Sequence, residues 1–154
     1  MKAPLGGADV PRDDVPAATD YVSPSIEILD TRIQRSDKTT GKTRTVFDTI
    51  SDNAAKAGVV LGPMRHRTDA VDLPGSARSH RATGTSRKPD WARGLNDPVE
   101  SVVWLARRMP QYGQGISPGQ IILPGSFIRP VECPAGARIE ADFGDFERFD
   151  ISFA

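Results

Sequence analysis

The chain has 154 residues, a mass of 16.6 kDa, and 20 acidic and 20 basic residues, so its net charge is zero. This length fits one domain with its own core, and the charge balance argues against a chain built for nucleic acid. A single cysteine, Cys133, excludes a disulfide framework and a cysteine metal site. The start lacks a signal-peptide pattern and no apolar run approaches the ~18 residues of a membrane span, so we expect a cytoplasmic protein that does not enter a membrane.

In the first half of the chain, short apolar runs alternate with polar loops. Apolar pattern and turn residues predict the elements there. They are a loop-like start over 1–19, a buried strand over 21–33, a polar loop over 36–45, a short helix over 46–57 and a short buried strand over 58–61.

The second half contains the clearest predicted element, a helix of about three turns that begins near Asn96 and ends before Pro110. Val99, Val102, Val103 and Ala106 form its apolar stripe. Beyond it, the run at 119–127 predicts a strand that enters a glycine turn, and 137–154 predicts two strands around a glycine. The fold class is therefore α+β, dominated by sheet.

Residues 74–94 differ in composition from the rest of the chain. They hold five lysines and arginines against one acid, and Trp91 is their only large apolar side chain. Such a segment cannot bury itself, so we expect it to be disordered. The remainder of the chain then carries a small negative charge, which favours a local anomaly over a nucleic-acid arm.

Glu27 stands between Ile26 and Ile28 in a run predicted to be buried. An inward-facing carboxylate is costly unless it is paired or holds a metal. Two interpretations remain open on the residues alone: a metal ligand, or a structural pair in which Arg32 neutralises Glu27 or Asp30.

Four segments together resemble the fumarylacetoacetase-like hydratases, and most closely the members that act on 2-oxoheptenedioate. They are ATDYVSPSIEILDTRI at 18–33, VFDTISDNAAKAGVVLG at 46–62, LNDPVESVVWLARRM at 95–109 and GQIILPGSFIRPV at 119–131. The polar insert SDKTTGKTR at 36–44 is similar to that of the dioate-specific members. The resemblance covers nearly the whole chain outside 74–94 and implies a mixed, mainly β roll and a homo-oligomer.

The resemblance also implies a chemistry. The family binds Mg²⁺ or Mn²⁺ through three carboxylates, and the cation polarises the 2-oxo group of a small-molecule 2-oxo acid while water adds to its double bond. Glu27 matches one of these carboxylates. Gly125 and Ser126 match the region that lines the substrate's carboxylate end, although Pro124 departs from the small residue common there.

Further candidates surround these positions. Arg32 and Arg44 are candidates to bind the second carboxylate of a dioate, because a planar guanidinium suits carboxylates. The alternative is that both are structural or surface charges. Asp48, Asp52 and Asn53 are candidates to support the groups that touch metal and substrate.

Two departures from the family accompany these matches. The other two metal carboxylates and the catalytic lysine are expected upstream of Met1, so residues 1–154 are expected to form a single, partial catalytic domain with impaired activity. In addition, one possible coding of 74–94, read in a shifted frame, yields WVGAIASRNGDIEETGLGAG, which is similar to the family's strand and hairpin. We therefore hypothesise two compensating single-base shifts, near codons 73 and 94.

Three alternative functions remain open. The chain could be a 2-oxo acid decarboxylase or an acylpyruvate hydrolase of the same superfamily, which assays on each substrate would separate. It could be a non-catalytic remnant or an assembly partner, which would fold without Mg²⁺-dependent turnover. A nucleic-acid-binding role rests only on residues 78–93 and requires binding that weakens steeply with salt.

Overall fold

The structure of the chain is a computed structural model that describes residues 1–73, 79–82, 85–87, 97–126 and 130–154. Within these described residues, the α-helices and strands have the following bounds: α1 (Asp14–Ala18), β1 (Ser25–Leu29), α2 (Val46–Ser51), β2 (Lys56–Leu61), β3 (Ser79–Ala82), β4 (Thr85–Arg87), α3 (Pro98–Arg108), β5 (Arg138–Asp142) and β6 (Arg148–Ser152). The predicted mixture of helix and sheet is confirmed. In the described part of the chain, no helix is both long and apolar enough to cross a membrane.

The chain divides into two compact units, which we call the larger unit (residues 1–24 and 62–154) and the smaller unit (residues 25–61). The larger unit holds a four-stranded antiparallel sheet in the order β4-β3-β5-β6. The smaller unit holds an antiparallel pair, β1 and β2. The description of 1–154 as one partial catalytic domain stays a prediction.

Helix α3 organises the core of the larger unit. Asp97 caps it by accepting a hydrogen bond from the backbone N–H of Val99 at 2.9 Å, and Pro98 opens its first turn. The predicted apolar stripe is buried, from Val99 to Ala106. The cap was expected at Asn96, which lies outside the described residues.

The start of the chain is not the unanchored loop expected from its composition. Residues Asp14–Ala18 form α1, and Leu5, Val10 and Val15 are buried in the same core as the stripe of α3. Arg107 donates from Nε and from a terminal nitrogen to the carbonyl of Val10, at 3.1 and 2.8 Å. The many proline and glycine residues of this stretch suggested a loop. They hid the fact that three widely spaced apolar side chains pack into the core beside α3.

Two predicted elements near the end of the chain had different outcomes. The two strands around Gly144 are confirmed as β5 and β6, with Ile139 opposite Ile151. The strand expected at 119–127 is wrong over its described residues, 119–126, which form no strand. Gly119 and Gly125 take φ values of 83° and 114°, outside the extended conformation that an L-residue strand requires.

Within the anomalous segment 74–94, the structure contains β3 and β4, whose backbones pair antiparallel with Ala82 opposite Thr85. Strand β3 also pairs with β5, where His80 lies opposite Ala141. Seven residues expected to be disordered are therefore strands, because an adjacent strand supplies backbone partners whatever the side chains are. The other residues of the segment lie outside the described ranges.

Candidate functional site

The smaller unit carries six of the eight residues that the sequence analysis selects. It holds the metal candidate, both arginines and the three supporting residues: Glu27, Arg32, Arg44, Asp48, Asp52 and Asn53. The remaining two, Gly125 and Ser126, belong to the larger unit. The smaller unit is therefore the place where side-chain chemistry is concentrated.

Glu27 lies in the middle of β1, opposite Val59 of β2. The expectation that it is buried is wrong: Glu27 is exposed, while Ile26 and Ile28 are half-buried on the other face of the strand. Side chains alternate between the two faces of a strand, so burial of both isoleucines places Glu27 outward. An exposed carboxylate needs no buried partner, and its candidacy as a metal ligand rests on the resemblance alone.

Asp52 at the end of α2 is the centre of a hydrogen-bond network. Its side chain is only 1% exposed, and Oδ1 accepts from Nε of Arg32 at 2.6 Å. Oδ2 accepts from the backbone N–H of Arg32 at 3.1 Å and from the hydroxyl of Thr31 at 3.0 Å. The partner of Arg32 is therefore Asp52, and the structural pair expected with Glu27 or Asp30 is corrected.

The electrostatics of Asp52 follow from this network. Burial by itself would raise the pKa of Asp52, because it penalises the charged carboxylate, but the hydrogen bonds from Thr31 and Arg32 outweigh it. The pKa of Asp52 is therefore lowered from its ordinary value of 3.8. Asp52 stays a carboxylate at neutral pH and is not a proton donor there.

Asp48 has a structural task in α2. It completes a capping box with Thr45, since its carboxylate accepts from the Thr45 backbone at 2.6 Å and the Thr45 hydroxyl accepts from the Asp48 backbone at 3.3 Å. The bonds from Thr45 lower the pKa of Asp48, and the nearby charge of Arg44 acts in the same direction. Asp48 therefore fixes where α2 begins.

The turn after Asp52 is conformationally unusual. Asn53, Ala54 and Ala55 have φ values of 50°, 54° and 61°, in the left-handed region that alanine rarely adopts. The turn is held at its start by the network of Asp52 and at its end by a 2.9 Å bond from the backbone N–H of Asp30 to the carbonyl of Ala55. Such strain persists only where surrounding contacts impose it, and here the contacts at both ends of the turn do so.

Sequence reasoning missed Thr31. Its hydroxyl accepts a 2.7 Å bond from a terminal nitrogen of Arg44 and lies within donating distance of Asp52 and of the Ile33 carbonyl. Its place beside an arginine in an apolar run was the only signal, since threonine hydroxyls commonly bond to nearby backbone. The residues brought together are therefore Thr31, Arg32, Arg44 and Asp52.

Gly125 and Ser126 are exposed, and the φ of 114° at Gly125 requires glycine there. Elsewhere in the larger unit, a cavity of about 520 Å³ is lined by residues 4–7, Pro110 and residues 114–117. None of its lining side chains is ionisable, so the cavity offers no acid or base. The ionisable chemistry of the candidate site remains with the smaller unit.

The described residues do not form a complete cation site. They contain no group of three or more histidine, cysteine, aspartate or glutamate side chains that could hold a metal. Hard divalent cations take about six oxygen ligands, and Glu27 supplies a single carboxylate. The described site residues therefore offer one of the oxygen ligands that a cation needs, together with guanidinium chemistry that suits carboxylates.

Comparison with known proteins places this arrangement in a family, although no family model matches the chain. The chain is 40% identical over 154 residues to the 2-oxo-hept-4-ene-1,7-dioate hydratase of Escherichia coli, covering 99% of this chain and 58% of that protein. It is 32% identical to the 2-hydroxyhexa-2,4-dienoate hydratase of Comamonas testosteroni, covering 91% of this chain and 51% of that protein. The chain spans about half the length of the curated relatives it matches.

Solved structures agree. The 4-oxalocrotonate decarboxylase of Pseudomonas putida G7, complexed with magnesium and adipate, matches all of this chain with a TM-score of 0.85 and 26% identity, over 57% of its own length. The same enzyme complexed with calcium and acetate matches with a TM-score of 0.84. A mixed α+β fold shared along the whole chain, together with the sequence identity, defines the class as fumarylacetoacetase-like. The chain belongs to this family, among the relatives of the 2-oxo acid hydratases.

Proposed function

We propose that the chain is part of a hydro-lyase that adds water to a 2-oxo-alkenoate or dioate, such as 2-oxohept-4-ene-1,7-dioate, in the breakdown of aromatic compounds. The observation that carries the proposal is the 40% identity to a hydratase for this dioate, which extends over 99% of the chain. The guanidinium group of Arg44, which forms no ion pair among the described residues, supports a substrate with carboxylates.

The proposal includes a divalent cation, Mg²⁺ or Mn²⁺, for which Glu27 supplies one ligand. Its support is the match of Glu27 to a family metal carboxylate and the magnesium and calcium in the solved relative. The described residues contain no cluster that would supply the further ligands. Bound there, a hard cation would polarise a 2-oxo group.

The same proposal places Gly125 and Ser126 at the substrate's carboxylate end, with Asp48, Asp52 and Asn53 supporting Arg32 and Arg44. It also includes a β roll, a homo-oligomer, a cytoplasmic location and a place in homoprotocatechuate breakdown. The resemblance supports the roll, the oligomer and the pathway, and the single Cys133 agrees with a reducing compartment.

Turnover of 2-oxohept-4-ene-1,7-dioate by the purified chain, with and without Mg²⁺, tests the function. The expected result is metal-dependent formation of the hydrated product, followed by chromatography. Glu27→Gln should weaken binding of Mn²⁺, measured by electron paramagnetic resonance, whereas Asp30→Asn removes another exposed carboxylate and should not. A chain that folds by circular dichroism but neither turns over the dioate nor binds Mn²⁺ is a non-catalytic remnant.

A 2-oxo acid decarboxylase is a second candidate, because the solved relative with the TM-score of 0.85 is a decarboxylase. The identity of 26% to that enzyme against 40% to the dioate hydratase favours hydration. Release of CO₂ from 4-oxalocrotonate, without hydration of the heptenedioate, would favour the decarboxylase over the hydratase.

A further inference from the structure

The two arginines of the smaller unit have different environments, and this difference assigns them different roles. We propose that Arg44, held in place by Thr31, binds the carboxylate of a dicarboxylic 2-oxo acid that lies farther from its 2-oxo group, whereas Arg32 is committed to Asp52 and binds no substrate. The inference rests on the proposed function, because it names the group that would select a dioate from 2-oxo acids with one carboxylate.

Arg32 is already neutralised. Its Nε donates to Oδ1 of Asp52 at 2.6 Å, and its two terminal nitrogens donate to the carbonyls of Asp52 at 2.5 Å and Lys56 at 3.3 Å. All three nitrogens are engaged, and the charge faces a carboxylate that is 1% exposed. A substrate that took Arg32 would leave the buried charge of Asp52 without its partner, which is strongly unfavourable.

Arg44 has the opposite properties. Among the described residues its side chain makes one hydrogen bond, from a terminal nitrogen to the neutral hydroxyl of Thr31 at 2.7 Å, and it forms no ion pair. The nearby Asp48 directs its carboxylate to Thr45. Arg44 therefore retains its charge, its Nε–H and a second terminal nitrogen for a ligand, and these can bind a carboxylate in a bidentate manner.

Arg44 is also held in one geometry. Its backbone N–H donates to the carbonyl of Arg35 at 3.0 Å, and its guanidinium is fixed by Thr31. The hydroxyl of Thr31 has two acceptors for its single proton, Oδ2 of Asp52 at 3.0 Å and the Ile33 carbonyl at 2.7 Å. A half-buried, fixed guanidinium loses little conformational entropy when a carboxylate binds, so Thr31 is a positioning residue for Arg44.

The chemical consequence is selectivity for a second carboxylate. A ligand with one carboxylate leaves Arg44 without an anionic partner, whereas a dicarboxylate of suitable length supplies one. Charge-assisted hydrogen bonds of this kind change affinity by about tenfold to a hundredfold. We therefore expect the chain to prefer a dicarboxylate over the monocarboxylate of equal length by a factor in this range.

The test measures dissociation constants of adipate and hexanoate by titration calorimetry with the whole chain, at equal ionic strength. Arg44→Gln should abolish the preference for adipate by weakening adipate about tenfold or more, and Thr31→Val should reduce it, with recovery in Thr31→Ser. Lys38→Gln removes an exposed basic side chain of the same unit and serves as the control, in which the preference should persist. Circular dichroism confirms that each variant is folded.

Equal binding of adipate and hexanoate by the wild-type chain, or binding of neither, would overturn the inference. So would an adipate preference that survives Arg44→Gln. These outcomes are separable from a failure of the proposed function, which is read from turnover of the heptenedioate. A chain that hydrates the dioate yet shows no dependence on Arg44 keeps the function and loses this assignment.

Discussion

Nε of Arg32 lies 2.6 Å from Oδ1 of Asp52, and the backbone N–H of the same arginine donates to the same carboxylate. One residue therefore binds Asp52 through both its side chain and its main chain. This arrangement ties the segment after β1 to the end of α2, where the left-handed turn begins. The network therefore links two separate segments of the smaller unit, in addition to the pairing of β1 with β2.

The first prediction concerns the stability of the folded chain at acid pH. Because the pKa of Asp52 is lowered in the folded chain, the unfolded chain binds more protons in the range between the folded and ordinary values. The stabilisation from Asp52 is therefore complete above its ordinary pKa of 3.8 and is lost as the pH falls through the folded value. Urea unfolding of the wild-type chain and of Asp52→Asn, measured from pH 7 to pH 2, should show a shallower acid loss in the variant. If the free energy of unfolding falls with pH in the same way in both chains, Asp52 does not contribute to acid stability as proposed.

A second prediction concerns the core face of α3. Val103 is 4% exposed and Trp104, the next residue, is 66% exposed. Val103→Ala should lower the free energy of unfolding by about 1–3 kcal/mol, since it removes buried methyl groups and leaves a cavity. Trp104→Ala is the matched control on the opposite face, with an expected change within about 0.5 kcal/mol. Equal losses in the two variants would show that the faces are misassigned.

A third prediction concerns Gly62. A Cβ added there would lie 2.6 Å from Oε2 of Glu147 and 3.2 Å from the carbonyl oxygen of Pro24. The other oxygen of Glu147 accepts from the backbone N–H of Met64 at 3.1 Å, which limits how far the carboxylate can retreat. Gly62→Ala should therefore reduce the free energy of unfolding by about 1–3 kcal/mol through overpacking.

A double-mutant cycle isolates the cause at Gly62. In the background of Glu147→Ala the carboxylate is gone, so adding the methyl group at position 62 should cost clearly less than in the wild-type chain. Strictly additive losses in urea unfolding would assign the effect to the backbone near Pro24 instead.

The sequence predicted elements well where a local pattern is sufficient. The stripe from Val99 to Ala106 has a helical period and a proline at its first turn, and both strands around Gly144 alternate and pair with each other. It failed at residues 119–126, where an apolar run suggested a strand but none forms, and where Gly119 and Gly125 take positive φ values. A strand forms only when another strand pairs with it, and a short stretch of sequence does not show whether such a strand is present.

For the candidate site, the sequence supplied residue types but not their partners. Arg32, Arg44 and Asp52 were selected, yet the pairing of Arg32 with Asp52 joins residues 20 positions apart and depends on how the turn after α2 folds. Thr31 was missed because its one signal, a place beside an arginine in an apolar run, is shared by many threonines that bind nothing but nearby backbone. The exposure of Glu27 depends on which face of β1 packs, which a run apolar on both sides does not specify.

The last prediction concerns residues 75–94. Replacing them with WVGAIASRNGDIEETGLGAG, the shifted-frame sequence of equal length, would place Asn-Gly at positions 83 and 84. Ala82 pairs with Thr85, so these two positions join β3 to β4. Asn-Gly is the preferred pair for a two-residue hairpin connection, because both residues accept positive φ. The replacement would also introduce one tryptophan, one valine, two isoleucines and one leucine, and it would reduce the basic residues of the segment from five to one.

We expect the replaced chain to unfold at a higher temperature by roughly 5 °C, as about 1–2 kcal/mol of added stability would give for a chain of this length. The single change Thr83→Asn should give a smaller increase in the same direction, since residue 84 is already glycine. A scrambled segment of the same composition is the control, and it should give no increase. If the chain with the replaced segment unfolds at no higher temperature than the chain with the scrambled one, the shifted-frame hypothesis loses its physical support. Sequencing of the gene across codons 73–94 would then show whether the two base shifts are present.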